Sequence, residues 1–150
     1  MTDLINHPPH YRGAGGLEAI EVIERYGLGY HLGNAIKYLL RAGKKGELQG
    51  DLEKARWYLR RWVDLYIANK ADEPMADEEA LAWRDPAEIA DAFALSGPQR
   101  WAAVRVLEAA VFEYDDLGSG EMILEAIDRL DRAIAQCGAE AAPHAQEGGR

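Results

Sequence analysis

The chain has 150 residues, of which 48% are hydrophobic and 29% are charged, so it is long enough for one ordinary domain or for two small lobes that share a core. No apolar run approaches the roughly 20 residues that span a bilayer, and residues 1–7 lack the features of a secretion signal. We therefore expect a cytoplasmic protein with no membrane partner. Its single cysteine, Cys137, excludes an intramolecular disulfide and a zinc site built from cysteines.

The net charge of −9 is distributed unevenly along the chain. Residues 1–70 contain 11 Lys and Arg against 8 Asp and Glu, a net charge of +3, whereas residues 71–150 contain 6 against 18, a net charge of −12. Binding to duplex nucleic acid requires several cations on one surface, so an acidic chain of this kind argues against such a partner. The basic first half still permits a local site for a phosphate or another anion.

Residues 5–16 predict an extended N-terminal arm. Pro8 and Pro9 restrict the backbone to extended or polyproline conformations, and three of the next seven residues are glycines. In a polyproline helix His7 and His10 would lie about 9 Å apart along the axis, too far to share one metal ion. The arm either packs over the core or takes part in binding, and four polar side chains favour binding: His7, His10, Tyr11 and Arg12.

Residues 17–26 predict the first helix. The side chains expected to face inward are Leu17, Ile20 and either Val22 or Ile23. Carboxylates recur on the outer face at Glu18, Glu21 and Glu24. Such a row is one arrangement that holds a metal ion, but acidic residues in the first turns of a helix are also favoured by its dipole. A solvated face is the preferred interpretation, and we predict no metal site.

Residues 31–45 predict a second helix with two contrasting faces that ends in a basic turn. Its buried stripe is Leu32, Ala35, Ile36, Leu39 and Leu40. Another face carries hydrogen-bond donors at His31, Asn34, Lys37, Tyr38 and Arg41, and Lys44 and Lys45 follow the helix-ending Gly43. The helix dipole alone favours cations at this end, by about 0.3–1 kcal/mol each. It does not account for Asn34 and Lys37 upstream, which favour a phosphate or nucleotide site.

Residues 51–69 predict a long third helix with Asp51 at or near its N-cap. Its expected buried stripe is Leu52, Ala55, Leu59, Trp62 or Val63, and Tyr66. Trp57 and Tyr58 lie at the edges of this stripe, where they either stack on a base or complete the core. Aromatic residues at helical spacing more often belong to a core, so we predict that role.

The second half of the chain repeats the first faintly. A shift of 67 residues aligns the pairs Glu21 and Glu88, Val22 and Ile89, and Tyr26 and Phe93, and shifts of 68 and 71 align the later helices. The second copy keeps the apolar stripe but loses the donors, because His31, Asn34, Arg41, Lys44 and Lys45 correspond to Gln99, Ala102, Ala109, Phe112 and Glu113. We expect it to serve as a packing partner.

These patterns predict an all-α protein of about six helices, arranged as two three-helix units in a pseudo-symmetric bundle with the arm folded over the first unit. The predicted divisions are a helical unit with its arm at 1–70, an acidic linker with one short helix at 71–85, a degenerate repeat at 86–138 and a disordered tail at 139–150. Apolar stripes on helical hairpins also favour a homo-oligomer.

Three stretches together resemble a known family. They are Asn6-His-Pro-Pro-His-Tyr, His31-Leu-Gly-Asn-Ala-Ile-Lys-Tyr-Leu-Leu-Arg-Ala-Gly-Lys-Lys and Asp51-Leu-Glu-Lys-Ala-Arg-Trp-Tyr-Leu. In order and spacing, residues 5–66 resemble a small phage protein family whose members are labelled nucleotide kinase-like. The resemblance implies phosphoryl transfer to deoxynucleoside monophosphates such as dGMP and dTMP, with nucleotides as partners, in the cytoplasm of infected bacteria.

The chain lacks the Gly-x-x-x-x-Gly-Lys-Ser/Thr motif of a P-loop, so a kinase here has to rely on other phosphate ligands. We assign the catalytic roles to His10, Lys37 and Arg41. We assign substrate binding to His7, Tyr11, His31, Asn34, Lys44 and Lys45. In this hypothesis the cations neutralise phosphate charge and a histidine orients or deprotonates the acceptor phosphate. Magnesium is expected only as a companion of the nucleotide.

Three alternatives remain open at this stage. The same donors suit a module that sequesters a nucleotide or a cyclic nucleotide without catalysis. An all-α nucleoside triphosphate pyrophosphohydrolase needs magnesium held by clustered carboxylates, for which Glu18, Glu21 and Glu24 are the only candidates in the first half. A structural or protein-interaction role would use the acidic second half to meet a basic partner.

Overall fold

A computed structural model describes residues 4–111 and 118–141 of the chain, and the described residues form helices and loops without a β-strand. The α-helices are α1 (Ala19–Arg25), α2 (Gly29–Arg41), α3 (Leu48–Ile67), α4 (Ala80–Trp83), α5 (Pro86–Ala92), α6 (Gly97–Val111) and α7 (Ser119–Ala141). The all-α prediction is confirmed. The seventh helix is the one-turn α4, which lies where a short helix was expected in the acidic linker.

Helix α2 lies at the centre of the bundle and contacts α1, α3 and α6. The five residues of its predicted apolar stripe are all fully buried: Leu32, Ala35, Ile36, Leu39 and Leu40. Burying a large aliphatic side chain contributes about 1.5–3 kcal/mol, so this stripe is a main source of stability. Its position also directs the donor-bearing face of α2 outward, toward the arm and toward α3.

The two halves have the same sequence of helices, a short one followed by two longer ones. Helix α1 leads into α2 and α3, and α5 leads into α6 and α7. Three pairs of residues 67 positions apart have matching roles: Glu18 and Asp85 in capping boxes, Tyr26 and Phe93 buried at helix ends, and Gly27 and Ala94 with φ of 53° and 56°. This correspondence is consistent with the predicted repeat, whose boundaries stay predictions.

Three hydrophobic side chains predicted to be buried are exposed. Ile20 is 54% exposed and Trp57 is 61% exposed, and Tyr66 is also exposed. The two turns of α1 face inward through Ala19 and Val22, which leaves Ile20 in solvent. On α3 the buried line runs through Ala55, and Trp57 lies about 200° further around the helix, where its side chain is left in solvent. The prediction that Trp57 belongs to the core was wrong.

Asp51 is not an N-cap residue. Helix α3 begins at Leu48, with Glu47 at its N-cap, so Asp51 lies inside the first turn. Its side chain is only 3% exposed, and it accepts hydrogen bonds from Arg41 at the end of α2. A partner from another helix explains the position of this carboxylate, where the sequence suggested local capping.

The N-terminal arm is turned rather than extended. It contains two 3₁₀ turns, Pro9–Tyr11 and Ala14–Gly16, and the backbone N–H of Tyr11 donates to the carbonyl of Pro8 at 3.1 Å. Pro8, Arg12 and Gly13 keep an extended backbone, whereas Pro9–Tyr11 and Ala14–Gly16 are turned. The first turn contacts α2, so the arm does fold over the first unit as expected.

The last described helix extends further than predicted. Helix α7 continues to Ala141, so the first three residues of the predicted tail are helical, and residues 142–150 lie outside the described part of the chain. Residues 112–117 also lie outside it. No helix within residues 4–111 and 118–141 combines the length and the apolar character needed to cross a bilayer.

Candidate functional site: a basic groove beside a braced turn

Arg41 joins three segments of the chain. Its Nη2 and Nε atoms donate to the two carboxylate oxygens of Asp51 at 2.6 and 3.3 Å, and its Nη1 donates to the hydroxyl of Tyr11 at 2.9 Å. The hydrogen bond with Asp51 is the main cause that raises the pKa of Arg41. These bonds hold the first 3₁₀ turn of the arm against the end of α2 and the start of α3. Arg41 therefore acts structurally as a positioning residue.

The basic groove, defined by His10, Lys44 and Lys45 together with Pro9 and Leu4, opens beside this turn with a volume of about 590 Å³. Burial is the main cause that lowers the pKa of His10 below its usual 6.5, and the charges of Lys45 and Arg41 lower it further, against an opposing effect of Asp51. A lowered pKa favours the neutral imidazole, which has a nitrogen able to accept a proton.

Lys44 connects the two halves of the protein. Its Nζ donates to the carbonyl of Phe93 at 2.6 Å and to that of Leu40 at 3.0 Å, and it lies 4.8 Å from the centre of the Phe93 ring. Burial lowers the pKa of Lys44. An ammonium group has three N–H donors, and these two bonds use two of them. Lys45 is exposed and forms no ion pair within the described residues.

Gln99 is a groove-supporting residue that sequence reasoning missed. Its Nε2 donates to the carbonyl oxygens of Leu39 and Ala42 at 2.6 and 3.2 Å, where α2 ends. Carbonyls at the end of a helix have no partner within the helix, so this amide satisfies groups that would otherwise need water. No local pattern indicates the contact, because it joins residues about 60 positions apart.

A second cavity, the small pocket, lies on the other side of the 3₁₀ turn and has a volume of about 130 Å³. Its polar lining consists of Asn6, Tyr11, Glu18 and Lys37. Lys37 donates to the Oδ1 of Asn34 at 3.0 Å, and Glu18 lies 2.6 Å from the Nδ1 of His7. The pocket thus carries one cation and one carboxylate, each held by a neighbouring side chain.

The nine predicted site residues do not form one cluster. Three lie in the basic groove, His10, Lys44 and Lys45. Four belong to the small pocket or support it, namely His7, Tyr11, Asn34 and Lys37. Arg41 braces the turn between the two cavities. His31 lies apart from both, with its ring 5.1 Å from that of Tyr30 and 6.5 Å from that of Tyr58.

Two carboxylates of the α1 row, Glu18 and Glu21, serve the fold. Glu18 and Glu21 form a reciprocal capping box, in which the backbone N–H of Glu18 donates to the Oε2 of Glu21 at 2.9 Å. Glu18 also lies 3.4 Å from the Nε of Arg12. Within the described ranges, no three His, Cys, Asp or Glu side chains are placed to hold a metal ion together.

These features define an all-α protein with a histidine- and lysine-lined groove beside a turn braced by a buried ion pair. Residues 5–60 match a protein family described as a protein of unknown function, DUF3310. This match, together with the phage relatives below, confirms the resemblance found in the sequence.

Two curated phage proteins are similar to this chain over 62 residues. One is the gene 1.7 protein of Enterobacteria phage T3, at 50% identity, and the other is named nucleotide kinase gp1.7 of Escherichia phage T7, at 47% identity. Each match covers 36% of this chain, and it covers 38% of the T3 protein and 32% of the T7 protein. The chain therefore matches about a third of the length of these relatives. No solved structure matches it.

Proposed function

We propose that this chain is a nucleotide-binding protein of the phage type and that it transfers a phosphoryl group to deoxynucleoside monophosphates without a P-loop. The observation that carries the proposal is the basic groove, where His10, Lys44 and Lys45 converge on a turn held by Arg41. The name of the T7 relative, nucleotide kinase, supports the reaction class. We further propose that it acts in the cytoplasm of the infected bacterial cell.

In this proposal Lys45 and the remaining N–H of Lys44 bind the phosphates, and the neutral imidazole of His10 orients or deprotonates the acceptor phosphate. An oxygen of that acceptor attacks the γ-phosphorus of a nucleoside triphosphate, and the bond from the γ-phosphorus to its bridging oxygen breaks. Two nucleoside diphosphates result. Phosphoryl transfer depends mainly on alignment and charge neutralisation, which fixed cations supply.

The small pocket is proposed to hold a second part of the substrate. Lys37 supplies the charge there, and His7, Tyr11 and Asn34 keep its polar groups in position. His31 lies outside both cavities, so its proposed contact is with a base that extends toward Tyr30. Magnesium, where it takes part, would enter bound to the triphosphate, since the carboxylates Glu18 and Glu21 are engaged in the capping box.

The test is to incubate the protein with each deoxynucleoside monophosphate and a nucleoside triphosphate, with magnesium or with a chelator, and to separate the products by anion exchange. Diphosphate formation that is lost in His10→Ala and reduced at least tenfold in Lys45→Ala supports the proposal. Lys70→Ala, which removes an exposed lysine far from the groove, is the matched control. Unchanged turnover in both groove variants would contradict the assigned site.

The same assay separates the alternatives. A sequestering module would bind nucleotides in a calorimetric titration, lose affinity in Lys45→Ala and return every nucleotide unchanged. This alternative is favoured by the fact that Arg41 and Lys44 use most of their donors within the protein. A pyrophosphohydrolase would instead release a monophosphate and pyrophosphate from the triphosphate.

A further inference from the structure

A second polar surface lies on α2 and α3, outside the basic groove. We name it the aromatic–cationic face, and its members are Tyr30, Tyr38, Trp57, Tyr58, Lys54 and Arg61. Tyr30 is 66% exposed, and Trp57 projects into solvent as described above. Large rings left in water do not stabilise the core. Packing in the core therefore does not explain why the rings of Tyr30 and Trp57 are where they are.

The rings of this face form one ordered group around Tyr58. The Tyr38 ring stacks on it with centres 6.1 Å apart and planes inclined by 16°, and the Trp57 and Tyr30 rings meet it edge-on at 5.0 and 6.0 Å. A hydrogen bond with the Tyr30 side chain is the main cause that raises the pKa of Tyr58. The group is held together by its own contacts, so its outer rings are positioned before any ligand arrives.

Two cations of α3 belong to this face. The Nζ of Lys54 lies 5.3 Å from the centre of the Tyr38 ring, and Arg61 follows Trp57 by four residues on the same side of α3. In residues 4–111 and 118–141 no carboxylate forms an ion pair with Lys54 or Arg61. By contrast, the next arginines of α3, Arg56 and Arg60, are both paired with Asp131 of α7.

We propose that the aromatic–cationic face binds single-stranded nucleic acid. Bases stack on the exposed rings of Trp57 and Tyr30, and phosphates contact Lys54 and Arg61. Exposed aromatic rings with cations beside them are typical of proteins that bind a single strand, because each base can stack on a ring and each phosphate can contact a cation. A duplex hides the faces of its bases. Lys54 and Arg61 lie about 10 Å apart along α3, which suits more than one nucleotide.

The test uses a fluorescently labelled oligothymidylate of about 12 nucleotides and the full chain in an anisotropy titration at several salt concentrations. Trp57→Ala and Tyr30→Ala are each expected to weaken binding about tenfold, since each removes one stacking ring. Lys54→Ala is expected to lower the slope of log K against log salt by about 0.7, the value for one phosphate contact on a single strand.

Arg129→Ala is the matched control, because Arg129 lies 4.6 Å from the ring centre of Trp101 in a similar aromatic–cation pair on α6 and α7. It is expected to leave the oligonucleotide affinity unchanged. Circular dichroism checks that each variant is folded, and Trp57→Phe is expected to keep most of the affinity because a ring remains.

Three results would overturn the proposal. The first is that the wild-type chain does not bind the oligonucleotide, and the second is that Trp57→Ala binds it as well as wild type. The third is that duplex and single strand bind equally. Sedimentation velocity of the wild-type chain and of Trp57→Ala tests whether a second copy of the chain occupies the face instead. If Trp57→Ala loses oligomers that the wild type forms, and neither protein binds the oligonucleotide, the face mediates contacts between copies and the nucleic-acid proposal is rejected.

Discussion

The guanidinium of Arg41 and the carboxylate of Asp51 form a bidentate ion pair beneath the first 3₁₀ turn of the arm. The Arg41 side chain is 12% exposed, and its shortest contact with Asp51 is 2.6 Å. The hydroxyl of Tyr11 accepts a further hydrogen bond from the same guanidinium. The pair thus sets the position of this turn, whose middle residue, His10, lines the basic groove.

Breaking this pair is expected to destabilise the protein strongly. Asp51→Asn leaves the Arg41 charge in a nearly dry environment, so the free energy of unfolding should fall by about 3 kcal/mol in a urea titration. Asp131→Asn is the control, since it disrupts the exposed pairs with Arg56 and Arg60 and should cost at most about 1 kcal/mol. Equal losses in the two variants would mean that the Arg41 pair has no special structural role.

Lys44 and Lys45 are expected to differ in what they contribute. Lys44→Ala removes the ammonium that caps the carbonyls of Leu40 and Phe93, so it should lower the unfolding free energy by about 2 kcal/mol and also weaken phosphate binding. Lys45→Ala should weaken phosphate binding while the unfolding free energy changes by less than about 0.5 kcal/mol. Urea and phosphate titrations of both variants measure these effects. An equal loss of unfolding free energy in Lys44→Ala and Lys45→Ala would contradict the prediction.

The titration of His10 should reflect its neighbours. An NMR pH titration of its ring protons is expected to show a midpoint below 6.5, and Lys45→Ala should raise that midpoint part of the way back, because burial remains the larger cause. Lys70→Ala, the control, should leave the midpoint of His10 unchanged. A lowered midpoint that does not respond to Lys45→Ala would remove the electrostatic part of the explanation.

The lowered pKa of His10 also makes the stability of the protein depend on pH. Since the pKa of His10 is lower in the folded protein than in the unfolded chain, the unfolded chain binds more protons as the pH falls below about 6.5. The contribution of His10 to the free energy of unfolding is fully present above that pH. It is lost as the pH drops through the pKa of the unfolded chain and then the lower pKa of the folded protein. His10→Gln should therefore lose less stability than wild type between pH 7 and 5, as urea titrations at both values would reveal. An identical loss in both proteins would be the contrary result.

Gly27 and Ala94 offer a test of the matched positions in the two halves. Both have a positive φ, which favours glycine, but a Cβ at Gly27 would lie 1.8 Å from the carbonyl oxygen of Met75. Gly27→Ala is therefore expected to destabilise the protein by more than about 2 kcal/mol, whereas Ala94→Gly should stabilise it by up to about 1 kcal/mol. Thermal unfolding measures both. Stabilisation by Gly27→Ala would contradict the close contact with Met75.

Much of the fold was predictable because it depends on local spacing. The buried stripe of α2, from Leu32 to Leu40, follows from apolar residues three and four positions apart, which share one face of any α-helix. The basic end of α2 and the short helix α4 in the acidic linker were also predicted. The hypothesis from the sequence assigned the arm and the basic turn to one site; His10, Lys44 and Lys45 line one groove, whereas Lys37 and His31 lie outside it.

What the sequence determined by itself is therefore the set of helices, the buried face of α2 and the residue types that gather near its end. Only the tertiary structure decided that Asp51 pairs with Arg41, that Gln99 caps α2 and that Trp57 remains in solvent. The physical reason is that helical periodicity is a property of neighbouring residues. A hydrogen bond between helices depends on how they pack, and residues 10 or 60 positions apart leave no local pattern that specifies it.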